Sequence, residues 1–192
     1  MSTDSILARS TRSAVFLDRD GVINENRSDY VQSIEELDIF PTALYAIARL
    51  EQSKYATVII TNQSAIGRGL VTAATVDQIN HSLIKRIRSA GGQIDGLYLC
   101  PHSPAEDCEC RKPMPGMLLQ AARELRLNLA QSWLIGDWLT DLQAASAAGV
   151  RPILVATGRG QEAHRQSSYA GFGHTPFLAN ISEAVEYILA AT

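Results

Sequence analysis

Short apolar runs alternate along this chain with longer stretches of helical periodicity, and polar or acidic residues follow directly after each of the first four runs. The runs at 14–17 (AVFL), 56–60 (ATVII), 94–99, 133–135 and 153–156 are predicted strands, with 177–178 as an edge strand. Apolar residues at helical spacing predict helices between them. One spans 42–53, with Ala43, Leu44, Ile47 and Leu50 behind Pro41. A second spans 72–90, with Val76, Ile79, Leu83, Ile84 and Ile87 on one face and Gly91-Gly92 at its end. Others cover 117–127, 139–148 (closed by Gly149) and 182–190, with Ser182 as the expected cap. Strands alternating with helices make an α/β three-layer sandwich, a mostly parallel sheet covered on both faces. Sites in such sheets lie at the carboxyl ends of strands, so the residues after each run are the ones to read for chemistry.

Composition narrows the classes of function. With 192 residues, 46% of them hydrophobic, the chain is long enough for one domain spanning 1–192 with its own core and too apolar to be disordered. No apolar run approaches the ~18 residues that cross a bilayer, and the first residues have no apolar block like that of a secretory leader. A cytoplasmic protein that does not bind membranes is expected. A net charge of −3 with scattered Lys and Arg leaves no footprint for a nucleic acid backbone. Nothing in the helices marks an interface, so a monomer is the default.

After the first run stand Asp18-Arg19-Asp20-Gly21. Two carboxylates two positions apart on an extended segment point the same way, repel, and call for a cation between them. An Asp can also act as a nucleophile towards phosphorus, while a neighbouring carboxyl protonates the leaving alcohol. A lone Asp-x-Asp is commonly no more than a solvated turn. After the second run, Thr61, Asn62, Gln63 and Ser64 offer a hydroxyl and amides suited to phosphoryl oxygens, or simply a polar loop. Arg111-Lys112-Pro113 supplies a compact ammonium for a transferring phosphoryl group and a guanidinium for a second oxyanion, although most Arg-Lys pairs are solvated. After the fourth run comes Gly136-Asp137-Trp138-Leu139-Thr140-Asp141. Asp137 fits an oxygen-rich Mg²⁺ site or a helix cap, and Asp141 is expected to cap or orient the helix that follows.

Cys100, His102, Cys108 and Cys110 form a C-x-H-x5-C-x-C cluster that holds every cysteine of the chain. Three thiolates and one imidazole complete a tetrahedral Zn²⁺ shell with no open position, so the site reads as structural. The loop at 100–110 would then be pinned directly before Arg111 and Lys112.

Four motifs in order, FLDRDGVIN, VIITNQS, CRKP and LIGDWLTD, resemble those of the haloacid dehalogenase superfamily of phosphotransferases from about residue 14 to about 158. The resemblance implies a Rossmann-like core and a Mg²⁺-dependent aspartyl-phosphate mechanism. It places Asp18 as nucleophile and Asp20 as general acid/base whose backbone carbonyl also binds Mg²⁺. Thr61 and Asn62 match phosphate and substrate holders, Lys112 the neutralising cation, and Asp137 the acidic Mg²⁺ ligand. Between 20 and 61, and between 61 and 112, there is room for a flap, helices and a strand but for no cap domain. The flap at 24–31, with Tyr30, and the zinc loop must therefore shape the pocket.

Within the superfamily the strings DRDGVIN, TNQSAIGRG, CPHSPAEDCECRKPMPGML and GDWLTDLQAA resemble the heptose-bisphosphate 7-phosphatases. That implies a phosphorylated sugar as partner, with Ser64, Arg68 and Arg111 touching it. Ala65 departs from the TNQSGI pattern of that group. Histidinol-phosphate phosphatases share the zinc pattern and the DRDG start and are the alternative. A phosphoacceptor signalling domain would lack Asp20. An inactive zinc-stabilised binding module would have lost at least one of Asp18, Asp20, Lys112 or Asp137.

Overall fold

The computed structural model describes residues 12–191; the reading of the first residues as carrying no leader falls largely outside that range. Six strands form one sheet: β1 (Ala14–Leu17), β2 (Ala56–Asn62), β3 (Gly96–Cys100), β4 (Trp133–Gly136), β5 (Arg151–Val155) and β6 (Phe177–Leu178). Their order is β3-β2-β1-β4-β5-β6, and every neighbouring pair is parallel. The edge position of β6 follows the sequence expectation. Strand β3 begins at Gly96, two residues later than expected, and Asp95 ties its start to β2. The Asp95 backbone N–H donates to the Thr57 carbonyl, and its carboxylate accepts from the Thr57 N–H.

The strands alternate strictly, as residues in a sheet covered on both faces must. Val15, Leu17, Ile59, Ile135, Ile153 and Val155 face one layer, made by α1 (Pro41–Glu51), α3 (Ala73–Ser89) and α7 (Ile181–Ala190). Ala14, Phe16, Val58, Ile60 and Leu134 face the other, covered by α4 (Gly116–Leu125) and α5 (Leu139–Ala147). Phe16, Leu17, Ile59 and Ile60 are fully buried, each contributing ~1.5–3 kcal/mol by leaving water.

Two helices were not expected: α2 (Ser64–Gly67) and α6 (Gly160–Ser167). The caps also differ from expectation in one place. Asn180, not Ser182, caps α7, and its side chain accepts from the Ser182 and Glu183 N–H groups. Thr72 caps α3 by accepting from the Thr75 N–H. No helix among the described residues is long and apolar enough to cross a membrane.

Candidate active site

All strands run the same way, so their carboxyl ends share one edge of the sheet, and one cavity of about 610 Å³ opens there. It is lined by Asp18 and Asp20 after β1, Thr61, Asn62 and Ser64 at β2, Arg111 and Lys112 after β3, and Asp137, Trp138 and Asp141 after β4. Tyr30 of the flap and Arg159 close its sides.

At the floor, Lys112 Nζ lies 2.8 Å from Asp18 Oδ1 and 2.6 Å from Asp141 Oδ1, and donates to the Ile60 carbonyl at 3.2 Å. The lysine is 3% exposed, so its ammonium has exchanged water for these partners. Burial works against its charge, but Asp141 and Asp18 outweigh burial and raise its pKa. Burial pushes the Asp18 carboxyl up to about 7 against the pull of Lys112, and the nearby charge of Asp141 adds to the rise. Asp137 stands well above the usual carboxylate range through burial and then the charges of Asp18 and Asp141.

Asp18, Asp137 and Asp141 each bring a carboxylate oxygen within 4.8 Å of the others. Three buried carboxylates face one ammonium, and the surplus negative charge is what a hard divalent cation neutralises. The residues present therefore fit Mg²⁺. The carboxylate of Asp20 is not in that group; it is held instead by Arg19, Asn24 and Gln63.

The floor is built by close backbone approach. A Cβ on Gly21 or on Gly158 would stand 2.1 Å from Asp137 Oδ2, and both glycines have positive φ (+91 and +57). The Arg159 N–H donates to that same oxygen at 2.8 Å. The 158–160 turn thus backs the carboxylate of Asp137. Gly158→Ala should push Asp137 aside and weaken divalent-cation binding roughly 10- to 100-fold, as loss of a ligand's support does. Titration calorimetry with Mg²⁺ on the purified variant checks this.

The other expected residues divide. Thr61 is buried, and its hydroxyl accepts from Gln63 Nε2. Asn62 lines the cavity, but its side chain clamps Lys112: Nδ2 donates to the Lys112 carbonyl and Oδ1 accepts from the Lys112 N–H, both at 3.1 Å. Ser64 Oγ meets the Tyr30 hydroxyl at 3.3 Å. Arg111 donates to the His102 carbonyl at 3.3 Å from the cavity wall. Arg68 caps the far end of α2 and is exposed, outside the residues that line the cavity.

Sequence reasoning did not foresee the contacts of four residues. Asp141 was expected only as a helix cap. It does cap, accepting from the Trp138 N–H at 3.0 Å, but its other oxygen meets Lys112. Arg159 came from a stretch with no pattern; its guanidinium stacks 3.4 Å from the Trp138 ring centroid. Arg19 and Gln63 lie inside the motifs, yet no spacing signals that their side chains turn inward to Asp20.

The second cluster is adjacent. Cys108 Sγ stands 3.7 Å from both Cys100 Sγ and Cys110 Sγ, and those two are 3.0 Å apart. His102 Nδ1 is 3.5 Å from Cys100 Sγ and 3.3 Å from Cys110 Sγ. Sulfurs about 2.3 Å from a tetrahedral ion stand roughly 3.8 Å apart, a spacing that the two pairs made by Cys108 have and that the closer Cys100–Cys110 pair would reach by opening; three thiols and an imidazole are a donor set that suits zinc. Burial pushes the Cys100 thiol up to about 12. Cys108 falls to about 7 against its burial, because the Arg111 backbone N–H and the neighbouring thiols favour its thiolate. The loop is wedged between helices. A Cβ on Gly67 would lie 2.6 Å from the Ser103 nitrogen, and one on Gly116 would lie 2.2 Å from the Glu109 carbonyl.

Known proteins are similar to this chain in sequence and in fold. A HAD-hydrolase-like family model matches residues 109–184. The D-glycero-beta-D-manno-heptose-1,7-bisphosphate 7-phosphatase of Neisseria meningitidis serogroup A is 38% identical over 91% of this chain and 94% of its own. The protein of that name from Bordetella bronchiseptica is 43% identical over 77% and 83%. The crystal structure of D,D-heptose 1,7-bisphosphate phosphatase from B. bronchiseptica, complexed with magnesium and phosphate, superposes with a TM-score of 0.86. It is 38% identical, over 94% of this chain and 99% of that one. The Burkholderia thailandensis D,D-heptose 1,7-bisphosphate phosphatase has a TM-score of 0.70 at 32% identity, over 93% and 99%.

Proposed function

Because this chain belongs to the haloacid dehalogenase-like phosphatases, within the family of the heptose-1,7-bisphosphate 7-phosphatases, we propose that it hydrolyses the 7-phosphate of D-glycero-β-D-manno-heptose 1,7-bisphosphate. It would do so as a single phosphatase domain in the cytoplasm, acting as a monomer on the route to nucleotide-activated heptose. The observation that carries the chemistry is the buried ammonium of Lys112 between Asp18 and Asp141 at the cavity floor.

In this reading, Asp18 Oδ attacks phosphorus. The bond to Asp18 forms while the bond from phosphorus to the sugar oxygen breaks, and Asp20 passes a proton to the leaving oxygen. In the second half Asp20 takes a proton from water, the water oxygen bonds to phosphorus, and the Asp18 carboxylate is released. Lys112 holds the transferred phosphoryl oxygens and offsets their charge. Thr61 borders the same oxygens. Asn62 keeps Lys112 in place from both sides of its peptide. Asp18, Asp137 and the Asp20 backbone carbonyl would hold Mg²⁺, with Asp141 beside them, and the ion supplies positive charge to the phosphoryl oxygens. Cys100, His102, Cys108 and Cys110 would hold a structural Zn²⁺ that fixes the loop carrying Arg111 and Lys112. The remaining phosphate and the sugar hydroxyls fall to Arg111, Arg159, Tyr30 and Ser64 on the cavity walls.

Magnesium-dependent phosphate release from four compounds tests this: both anomers of the heptose bisphosphate, fructose bisphosphate and histidinol phosphate. The β anomer is expected to give the highest kcat/KM by at least roughly 10-fold, a difference of ~1.4 kcal/mol in transition-state binding. A higher value for histidinol phosphate would overturn the substrate assignment.

A further inference from the structure

Arg19 is the largest fully buried side chain among the described residues, at 1% exposure, and the chemistry above uses it only as a partner of Asp20. Its guanidinium is always charged and needs a full set of acceptors when taken out of water. Nη2 reaches Asp20 Oδ2 at 2.8 Å and Oδ1 at 3.0 Å, with Nε 3.2 Å from Oδ1. Nη2 also donates to Gln63 Oε1 at 3.0 Å. Nη1 donates to Asn80 Oδ1 at 3.0 Å.

Asn80 is anomalous where it stands. It lies on the inward face of α3 among Val76, Ile79, Leu83 and Ile87, and is 3% exposed. An amide on an apolar stripe costs free energy unless something uses it. Its partner is the back of the fork whose front grips Asp20. Gln63 Nε2 and Asn24 Nδ2 donate to the other edges of the same carboxylate, at 2.8 and 2.9 Å.

We infer that Asn80 is a positioning residue for the proposed reaction: it anchors Arg19, and Arg19 fixes the carboxyl group of Asp20 facing the leaving-group oxygen. An Asp side chain has two free torsions, and general acid catalysis needs it within hydrogen-bond reach of one atom. A fork fastened at one end only can rotate and carry Asp20 with it.

The inference rests on the reading of Asp20 as the acid, so both are tested together. Asn80→Leu keeps the volume and removes the acceptor. First-turnover rates are measured with the heptose bisphosphate, whose alkoxide needs a proton, and with p-nitrophenyl phosphate, whose phenolate does not. Asn80→Leu should slow the sugar substrate roughly 10-fold or more and the aryl substrate less than about threefold, since acid catalysis contributes about 10²–10⁴-fold and only its alignment is lost. Partial unfolding lowers both rates together and leaves their ratio unchanged. If Leu prevents folding altogether, Asn80→Ser, whose shorter hydroxyl stops short of Arg19, reads the same ratio. An unchanged ratio overturns the inference. Asp20→Asn run beside it separates the cases. A ratio that shifts there but not at position 80 rejects only the role of Asn80. A ratio unmoved by Asp20→Asn rejects the acid itself.

Discussion

Asp18→Asn should end turnover, with kcat lower by at least roughly 10⁴-fold, the scale on which loss of a nucleophile is felt. The amide fills the same space and can still meet Lys112 with an oxygen, but its electron pair is too weakly basic to attack phosphorus. The loss should come without a loss of fold. Asp18 is one of three carboxylates crowded within 4.8 Å of one another, and burial together with the charge of Asp141 already presses its proton on. Neutralising it relieves repulsion, so the thermal midpoint of the metal-free variant should equal or exceed that of the native chain. Single-turnover phosphate release and thermal melting check the two halves. Residual activity near a hundredth of the native rate would mean that water attacks phosphorus directly.

Cys108→Ser should remove bound zinc and cost the protein both stability and rate. Elemental analysis is expected to fall from about one zinc per chain to a small fraction of that. The alcohol oxygen is a poor ligand beside a thiolate, and the remaining donors leave one corner open. Loss of a structural metal belongs to the large class of destabilising changes, here about 3 kcal/mol. For a chain of this size that lowers the melting midpoint by roughly 10 °C. Turnover should fall as well, because Lys112 follows Cys110 of the cluster by two residues and Arg111 leans on the His102 carbonyl. An unchanged metal content and midpoint would remove the cluster from the list of sites.

Backbone position was legible in the sequence, and side-chain direction was not. Buried parallel strands are continuous apolar runs, so β1 and β2 could be read off AVFL and ATVII, and the residues after them had to share one edge of the sheet. The helix α6 could not be read this way. Its inward face is Gly160, Ala163 and Ser167, side chains too small to make an apolar stripe. Arg19 and Asn80 were illegible for a different reason. Their pairing spans 61 positions and buries two polar groups where pattern alone expects apolar ones. Arg68 shows the same limit in side-chain direction: its motif neighbours line the cavity, while one turn of α2 leaves it exposed.

The cavity floor is buried and crowded, while its upper walls are the 24–31 flap and the 100–110 loop, with no domain among the described residues to fold over them. Phosphoryl transfer gains most where bulk solvent is kept away, because every charge then acts through a lower dielectric. A bulky sugar seated on those walls would have to act as its own stopper. Turnover should accordingly reward the bulk of a substrate as much as its charge, and a bare phosphoester too small to seal the opening would react in a wetter, weaker field.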